Sequence, residues 1–267
     1  MNDEIYENYY IENILFDNPC YIDGIEVYPI QIINWKAFQK YIPLFILSKE
    51  HYKKEHYKLD SDEDLLRFII VNNSMNNNKS DINDELLIKM LSTFCNAFNI
   101  ICRCNDFTCK IEKDGFLFFR KNTNYSINKN NFNDIRKVIL KQNIIFEPII
   151  YESKFKEKWA NSVRRGRAKK SKKIPLSDIV NIVREGIGIS YDEINKMNMF
   201  QLNVDFKRLQ NTKNFESTML LRTTYGIDLK KLPNVDYVEP IIEELMRNPE
   251  LDYFKDFDMG DIVESLK

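Results

Sequence analysis

The chain has 267 residues, 43% of them hydrophobic and 30% charged, which is enough apolar material for one large or two modest domains and too much for a disordered chain. With 39 basic and 40 acidic residues the net charge is -1, so no global field draws the protein to nucleic acid or to an anionic membrane. The acidic start MNDEIYENYY lacks a signal peptide's basic and apolar regions, and no stretch approaches the ~18 uninterrupted apolar residues of a membrane span. Five cysteines without an export signal point to free thiols in a reducing compartment.

In chain order, the first patterned segment is CYIDGIEVYPIQII, where Asp23-Gly24 between alternating apolar residues predicts a hairpin over about 20–33, with Pro29 at an edge. In SDEDLLRFIIVNN, Ser61 is the expected helix cap, with Asp64 three residues on. The stretch NNSMNNNKSDIND reads as a loop. Leu87, Met90, Leu91, Phe94 and Phe98 then recur at helical spacing. From Ile100 the period becomes two, with Phe107, Cys109 and Ile111 on one side of a strand and Asp114-Gly115 turning it back onto Phe116 to Phe119. NFNDIRKVILKQN predicts a helix capped by Asn131 or Asn133, with Ile135, Val138 and Ile139 inward.

Residues 151–174 are polar and basic and read as a helix or linker. Beyond Pro175 the pattern is helical. Ser177 is placed as the cap of a turn that ends at Gly186. Ser190 and Glu193 form a capping box, and Asn198 caps MFQLNVDFKRLQ, whose buried stripe is Leu202, Phe206 and Leu209. A further helix through Phe215, Met219 and Leu220 stops before Gly226. The expected fold class is α+β, with a mixed helix and β-hairpin domain over 1–150, a basic helical linker over 151–174 and a small all-α module over 175–267.

No catalytic centre is legible. Cys95, Cys102, Cys104 and Cys109 lie close in sequence. Their tightest pair is C-x-C, which on a strand sits on one face about 7 Å apart, a poor match to structural zinc spacing. Buried small hydrophobes is the simpler role. His51 and His56, the two histidines, lie about 140° apart on a helix and cannot share an ion from one face. No nucleophile elbow, phosphate-binding loop or H-E-x-x-H motif occurs. Acidic groups such as Asp62 to Asp64 sit at helix starts, where the dipole suffices to explain them. No catalytic residue, cofactor or metal is therefore expected.

The sharpest local feature is RRGRAKKSKK, with Arg164, Arg165, Arg167, Lys169, Lys170, Lys172 and Lys173. Phosphate neutralisation is one use of such a run. Sparse aromatics nearby, and acidic residues from Asp236 to Glu264 that include Glu243, Glu244 and Glu250, favour a solvated linker or docking on acidic protein surface.

NPCYIDGIEVYPIQIINWKAFQKYIPLFILSKEH, the later NFNDIRKVILKQN, the lysine-rich stretch and GIGISYDEINKMNMFQLNVDFKRLQN resemble, in order, tail assembly chaperones of long-tailed bacteriophages of Gram-positive hosts. The resemblance covers most of the chain as an order of elements and is specific around residues 186–212. It implies a non-enzymatic protein of the host cytoplasm that coats the tape-measure protein with its first domain, recruits tail-tube protein with its last and can self-associate. Partner contacts are then expected at Arg164, Arg165, Arg167, Lys169, Lys170, Met199, Leu202, Phe206 and Leu209. A structural component of a phage tail or injection machine, or a nucleic-acid-binding phage protein using residues 164–173, is the alternative.

Overall fold

A computed structural model of the chain describes residues 10–54, 64–75, 83–113, 115–121, 123–170, 174–225 and 241–254. It begins with a short helix α1 over residues 10–15. The first hairpin follows, β1 (Cys20–Ile22) against β2 (Ile25–Val27), paired Ile22 to Ile25. Asp23 and Gly24 both take positive φ (49° and 78°), as a two-residue hairpin turn of this hand requires. Gly24 is needed a second time, because the Tyr125 ring fills the space a Cβ would occupy. The strands are shorter than the alternation suggests. They end before Pro29, whose missing N–H could not continue the ladder.

Helices α2 (Ile32–Phe38), α3 (Ile42–Phe45) and α4 (Lys49–Lys54) follow. Next come α5 (Leu65–Ser74) and α6 (Asp84–Ile101). Asp64 is itself the cap of α5, accepting from the Leu66 N–H at 2.9 Å. The expected cap Ser61 lies outside the described residues, as does most of the loop after Met75. Helix α6 buries Leu91, Phe94, Phe98 and Ile101. It runs past the point where period two was expected, so Cys102 is its C-cap and Cys104 lies in the turn beyond rather than on a strand. Asn99 fastens that turn, its Oδ1 accepting from the Phe107 N–H at 3.0 Å.

The second sheet is antiparallel in the order β3 (Phe107–Glu112), β4 (Gly115–Arg120), β5 (Ser126–Ile127). Of its turn pair, Asp114 lies outside the described residues. Ile111, placed on the same side of the strand as Phe107 and Cys109, is 59% exposed, because the far half of β3 is exposed where the near half is partly covered. Helix α7 (Phe132–Gln142) closes the layer. Asn131 sits at its cap position, but its side chain instead holds the preceding turn, donating to the Ser126 carbonyl and accepting from the Asn128 N–H. Phe38, Phe45, Phe94, Phe98, Phe118 and Phe132 form the centre of the core, with ring centroids as close as 5.2 Å between Phe98 and Phe118. Aromatic pairs at such separations add to their area burial.

The basic stretch is a helix, α8 (Lys154–Lys170). Helices α9 (Leu176–Ile187), α10 (Tyr191–Lys196), α11 (Met199–Tyr225) and α12 (Ile241–Met246) follow, then a 3-10 turn over Pro249–Phe254. Pro175, not Ser177, stands at the N-cap of α9, and the helix ends at Gly188 with φ 73° rather than at Gly186. Gly186 answers a different need: a Cβ there would lie 2.5 Å from Leu209 Cδ1, where α9 crosses α11. Gly186→Val is expected to cost about 1–3 kcal/mol by overpacking this crossing. Thermal unfolding of the variant checks this; a melting temperature equal to that of the parent would show that the crossing has slack. The Ser190–Glu193 capping box is present as expected. The two helices anticipated beyond Asn198 are one, 27 residues long, since nothing between Gln210 and Phe215 breaks a helix.

The C-terminal helices share contacts with the first part of the chain. Val183, Ile194 and Leu202 form a small core that Ile32 of α2 joins, and Phe200 packs with Tyr10 and Ile14 of α1. The Ile32 N–H donates to the Met197 carbonyl at 2.8 Å, and Gln31 pairs with Asn198 in a β-bridge. No helix among the described residues is long and apolar enough to cross a membrane.

Candidate functional site

Helix α8 carries eight basic residues and one acidic residue over its 17 positions. Helical geometry sorts them. At 100° per residue, Lys154, Lys158, Arg165 and Lys169 fall within about 60° of one another. All four are exposed, and among the described residues their side chains form no ion pair. Arg164 lies on the other flank, beside the fully buried Ala160 that seats the helix on the body. Its Nη2 is 2.7 Å from Glu250 Oε1, and its Nε donates to the same oxygen at 2.9 Å. The Tyr151 hydroxyl donates to the other oxygen of Glu250 at 3.2 Å, so one carboxylate holds both the segment leading into α8 and the middle of the helix. Lys156 is paired with Glu152 at 2.6 Å. The anticipated acidic counterpart thus exists at Glu250. Lys172, Lys173 and the other acidic positions at 236, 239, 256, 258, 261 and 264 lie outside the described residues.

Of the nine expected contact residues, Arg164, Arg165, Arg167 and Lys169 are exposed on α8, and the side chain of Lys170 lies outside the described set. The four apolar ones are placed differently. Leu202 is 0% exposed, and Met199, Phe206 and Leu209 pack around it against α9 and α10. Their spacing describes an internal seam. Leu202 is closed to a partner, while Met199, Phe206 and Leu209 remain partly exposed.

The join between α10 and α11 is built on Asn198, 0% exposed. Its Oδ1 accepts from the Gln201 N–H at 2.9 Å while Gln201 Oε1 accepts from the Asn198 N–H at 2.8 Å, a reciprocal cap. Its Nδ2 donates to the Ile14 carbonyl at 2.8 Å, and Gln201 Nε2 donates to the Leu15 carbonyl at 2.7 Å. The capping role was legible in sequence; the reach to α1 was not.

Arg136, 1% exposed, carried no sequence signal beyond being a charge on the apolar side of α7. It pairs with Glu147 at 2.6 Å and donates to the Phe45 carbonyl at 2.9 Å. It borders a polar groove of about 490 Å³ with Ser48, Lys49, Asp64, Lys129 and Lys137. Burial pushes the Asp64 carboxyl up, and its Oδ2 has no hydrogen-bond partner. Ser48 and His51 meet at 2.8 Å, but as the cap of α4: the Ser48 N–H also points at Nδ1, and Nε2 lies 2.6 Å from the Pro148 carbonyl. With Nε2–H donating there, Nδ1 is the acceptor.

Among the described residues no three His, Cys, Asp or Glu side chains converge on a metal-sized site. All five cysteines are free thiols. Burial pushes the Cys20, Cys95, Cys102 and Cys104 thiols up, Cys95 to about 12 with Cys109 hydrogen-bonded beside it. These are groups whose folded pKa lies above the unfolded one. Their contribution to stability is intact below the ordinary thiol value of 9.0 and is lost as pH rises towards 12. Denaturant midpoints should therefore fall across that window, and iodoacetamide at mildly alkaline pH should modify the native chain far more slowly than the unfolded one. Equal rates would contradict the burial.

These features define an α+β chain with a fastened cationic helix and a capped helical unit docked on its first part. A family model described as the YomV second domain matches residues 168–241, from the end of α8 to the first residue of α12. The SPbeta prophage-derived uncharacterized protein YomV of Bacillus subtilis (strain 168) is 25% identical over 195 residues, 73% of this chain and 74% of that protein. The chain is thus phage-related. No solved structure matches.

Proposed function

We propose that this phage-related chain is a non-enzymatic assembly adaptor of the tail-chaperone kind, working in the host cytoplasm. In this reading residues 1–150 hold tape-measure protein, 151–174 form a basic connector, and 175–267 recruit tail-tube protein. The observation that carries it is the sorting of α8. Glu250 and Glu152 pair with Arg164 and Lys156 on one flank, while Lys154, Lys158, Arg165 and Lys169 stand exposed on another with no ion pair among the described residues. Unpaired charge concentrated on one face of a fastened helix suits recognition of a complementary surface, because it raises association rate and fixes register. The prophage origin of the relative supports the setting.

Co-expression with the tape-measure and tube proteins encoded beside it, followed by pull-down, tests the reading. A stable complex with either is the expected result. Recovery of the chain alone, with both candidates soluble, contradicts it. Nucleic-acid binding is a second reading, favoured by Arg165 and Lys169 standing unpaired inside the run 164–173.

A further inference from the structure

The outward face of α8 has more structure than a run of charge. Lys154, Lys158, Arg165 and Lys169 are separated by four, seven and four residues, a row about 22 Å long at 1.5 Å per residue. The row reads the same from either end. One position further round the helix stand Phe155 and Trp159, 50% and 39% exposed. The outward surface therefore pairs a cationic row with an aromatic patch at its N-terminal half. The same helix already receives an acidic segment of its own chain along its other side, where the 3-10 turn bearing Glu250 packs on it.

The geometry points to an acidic amphipathic helix of a partner protein as the occupant of this face, its carboxylates at the matching four–seven–four spacing and an apolar residue seated on Phe155. Two carboxylates four apart on a helix lie one above the other and can meet a lysine pair of the same spacing. Each exposed pair contributes little alone, so the set of four supplies register and encounter rate while the aromatic patch supplies burial. A nucleic acid uses this face less well. The protein-wide charge is -1, which provides no field to gather phosphates, and the rings lie at one end of the row instead of alternating along it. The inference rests on the adaptor reading and names the chemistry of its client.

The test is fluorescence anisotropy with the full chain and a synthetic helical peptide carrying Glu at the four–seven–four spacing with Leu beside the first pair. A scrambled peptide of equal composition and a labelled DNA oligonucleotide, single-stranded and duplex, serve as the other probes. The designed peptide is expected to bind at least about tenfold tighter than the scrambled one, and to weaken as salt rises. The fourfold variant K154E/K158E/R165E/K169E should lose at least about tenfold, the neutral variant with four glutamines a smaller factor in the same direction, and Lys89→Glu with Lys121→Glu nothing. Circular dichroism confirms that the variants are folded. DNA bound more tightly than the designed peptide, and lost in the same variant, overturns the inference in favour of nucleic acid; so does peptide binding indifferent to the four substitutions. If wild type captures a tape-measure or tube protein and the fourfold variant captures it equally, this face is wrong while the adaptor reading stands. If neither captures a client but the designed peptide binds as described, the face stands and the proposed clients fall.

Discussion

Asn198→Asp is expected to destabilise the protein by about 3–5 kcal/mol at neutral pH, far beyond the usual effect of an isosteric change. The amide nitrogen of Asn198 donates to the Ile14 carbonyl at 2.8 Å and lies 3.3 Å from Asp17 Oδ1, with the residue fully buried. Aspartate puts an oxygen there, facing one carbonyl and one carboxylate with no solvent. Asn198→Ala should cost less, about 1–3 kcal/mol, because it removes hydrogen bonds without burying charge. The introduced carboxyl would have a folded pKa above its unfolded one. Its penalty is therefore absent below the ordinary carboxyl range and grows as pH rises through the folded pKa. Urea midpoints of wild type and variant should converge in acid and separate towards neutrality, with the helices after Pro175 becoming protease-sensitive first. A gap that is constant with pH would mean that residue 198 is not held against Asp17.

Arg136→Ala is the second large effect, again about 3–5 kcal/mol. Among the described residues Arg136 is the largest fully buried side chain, and besides Glu147 and the Phe45 carbonyl it reaches Asn133 Oδ1 at 3.3 Å. Truncation leaves a cavity under α7 and an orphaned carbonyl at the end of α3. Arg136→Met fills the volume and should recover part of the loss. Glu147→Gln keeps an acceptor but leaves the buried Arg136 guanidinium without its counter-charge, and should cost about 1–3 kcal/mol. Chemical denaturation of the three variants checks the order Ala, Met, Gln. An Arg136→Ala variant within experimental error of wild type would remove the residue from the core.

What was legible in the sequence were features decided locally. The Ser190–Glu193 box, the Asp23-Gly24 turn and the inward stripe of α6 each depend on residues a few positions apart, and each is present. Ends and joins were harder. Helix α6 passes through Asn99 to Ile101, where Ile101 is buried in the core, and α11 passes through the largely exposed stretch Asn211 to Phe215 because residues of middling propensity do not by themselves break a helix. The stripe Leu202, Phe206 and Leu209 was read as buried and packs inward, but that α9 is what covers it depends on the tertiary arrangement. The basic run was visible as composition. Its division into a fastened flank and an open row requires knowing which side of α8 meets the body, and that is set by Ala160 and by Glu250, more than eighty residues downstream of the first. Arg136 was invisible because Phe45 comes from a distant element and Glu147 reaches it only through the irregular segment after α7.

Carbodiimide cross-linking of the complex formed on co-expression tests the central claim most directly, since it joins an amine to a carboxylate only where the two touch, with no spacer. Isopeptide bonds from the client's Asp and Glu residues should concentrate on Lys154, Lys158 and Lys169 and spare Lys89 and Lys121, which are exposed elsewhere. Client bonds at Lys89 and Lys121 with the α8 lysines unmodified would contradict the proposal that this helix face holds an acidic partner.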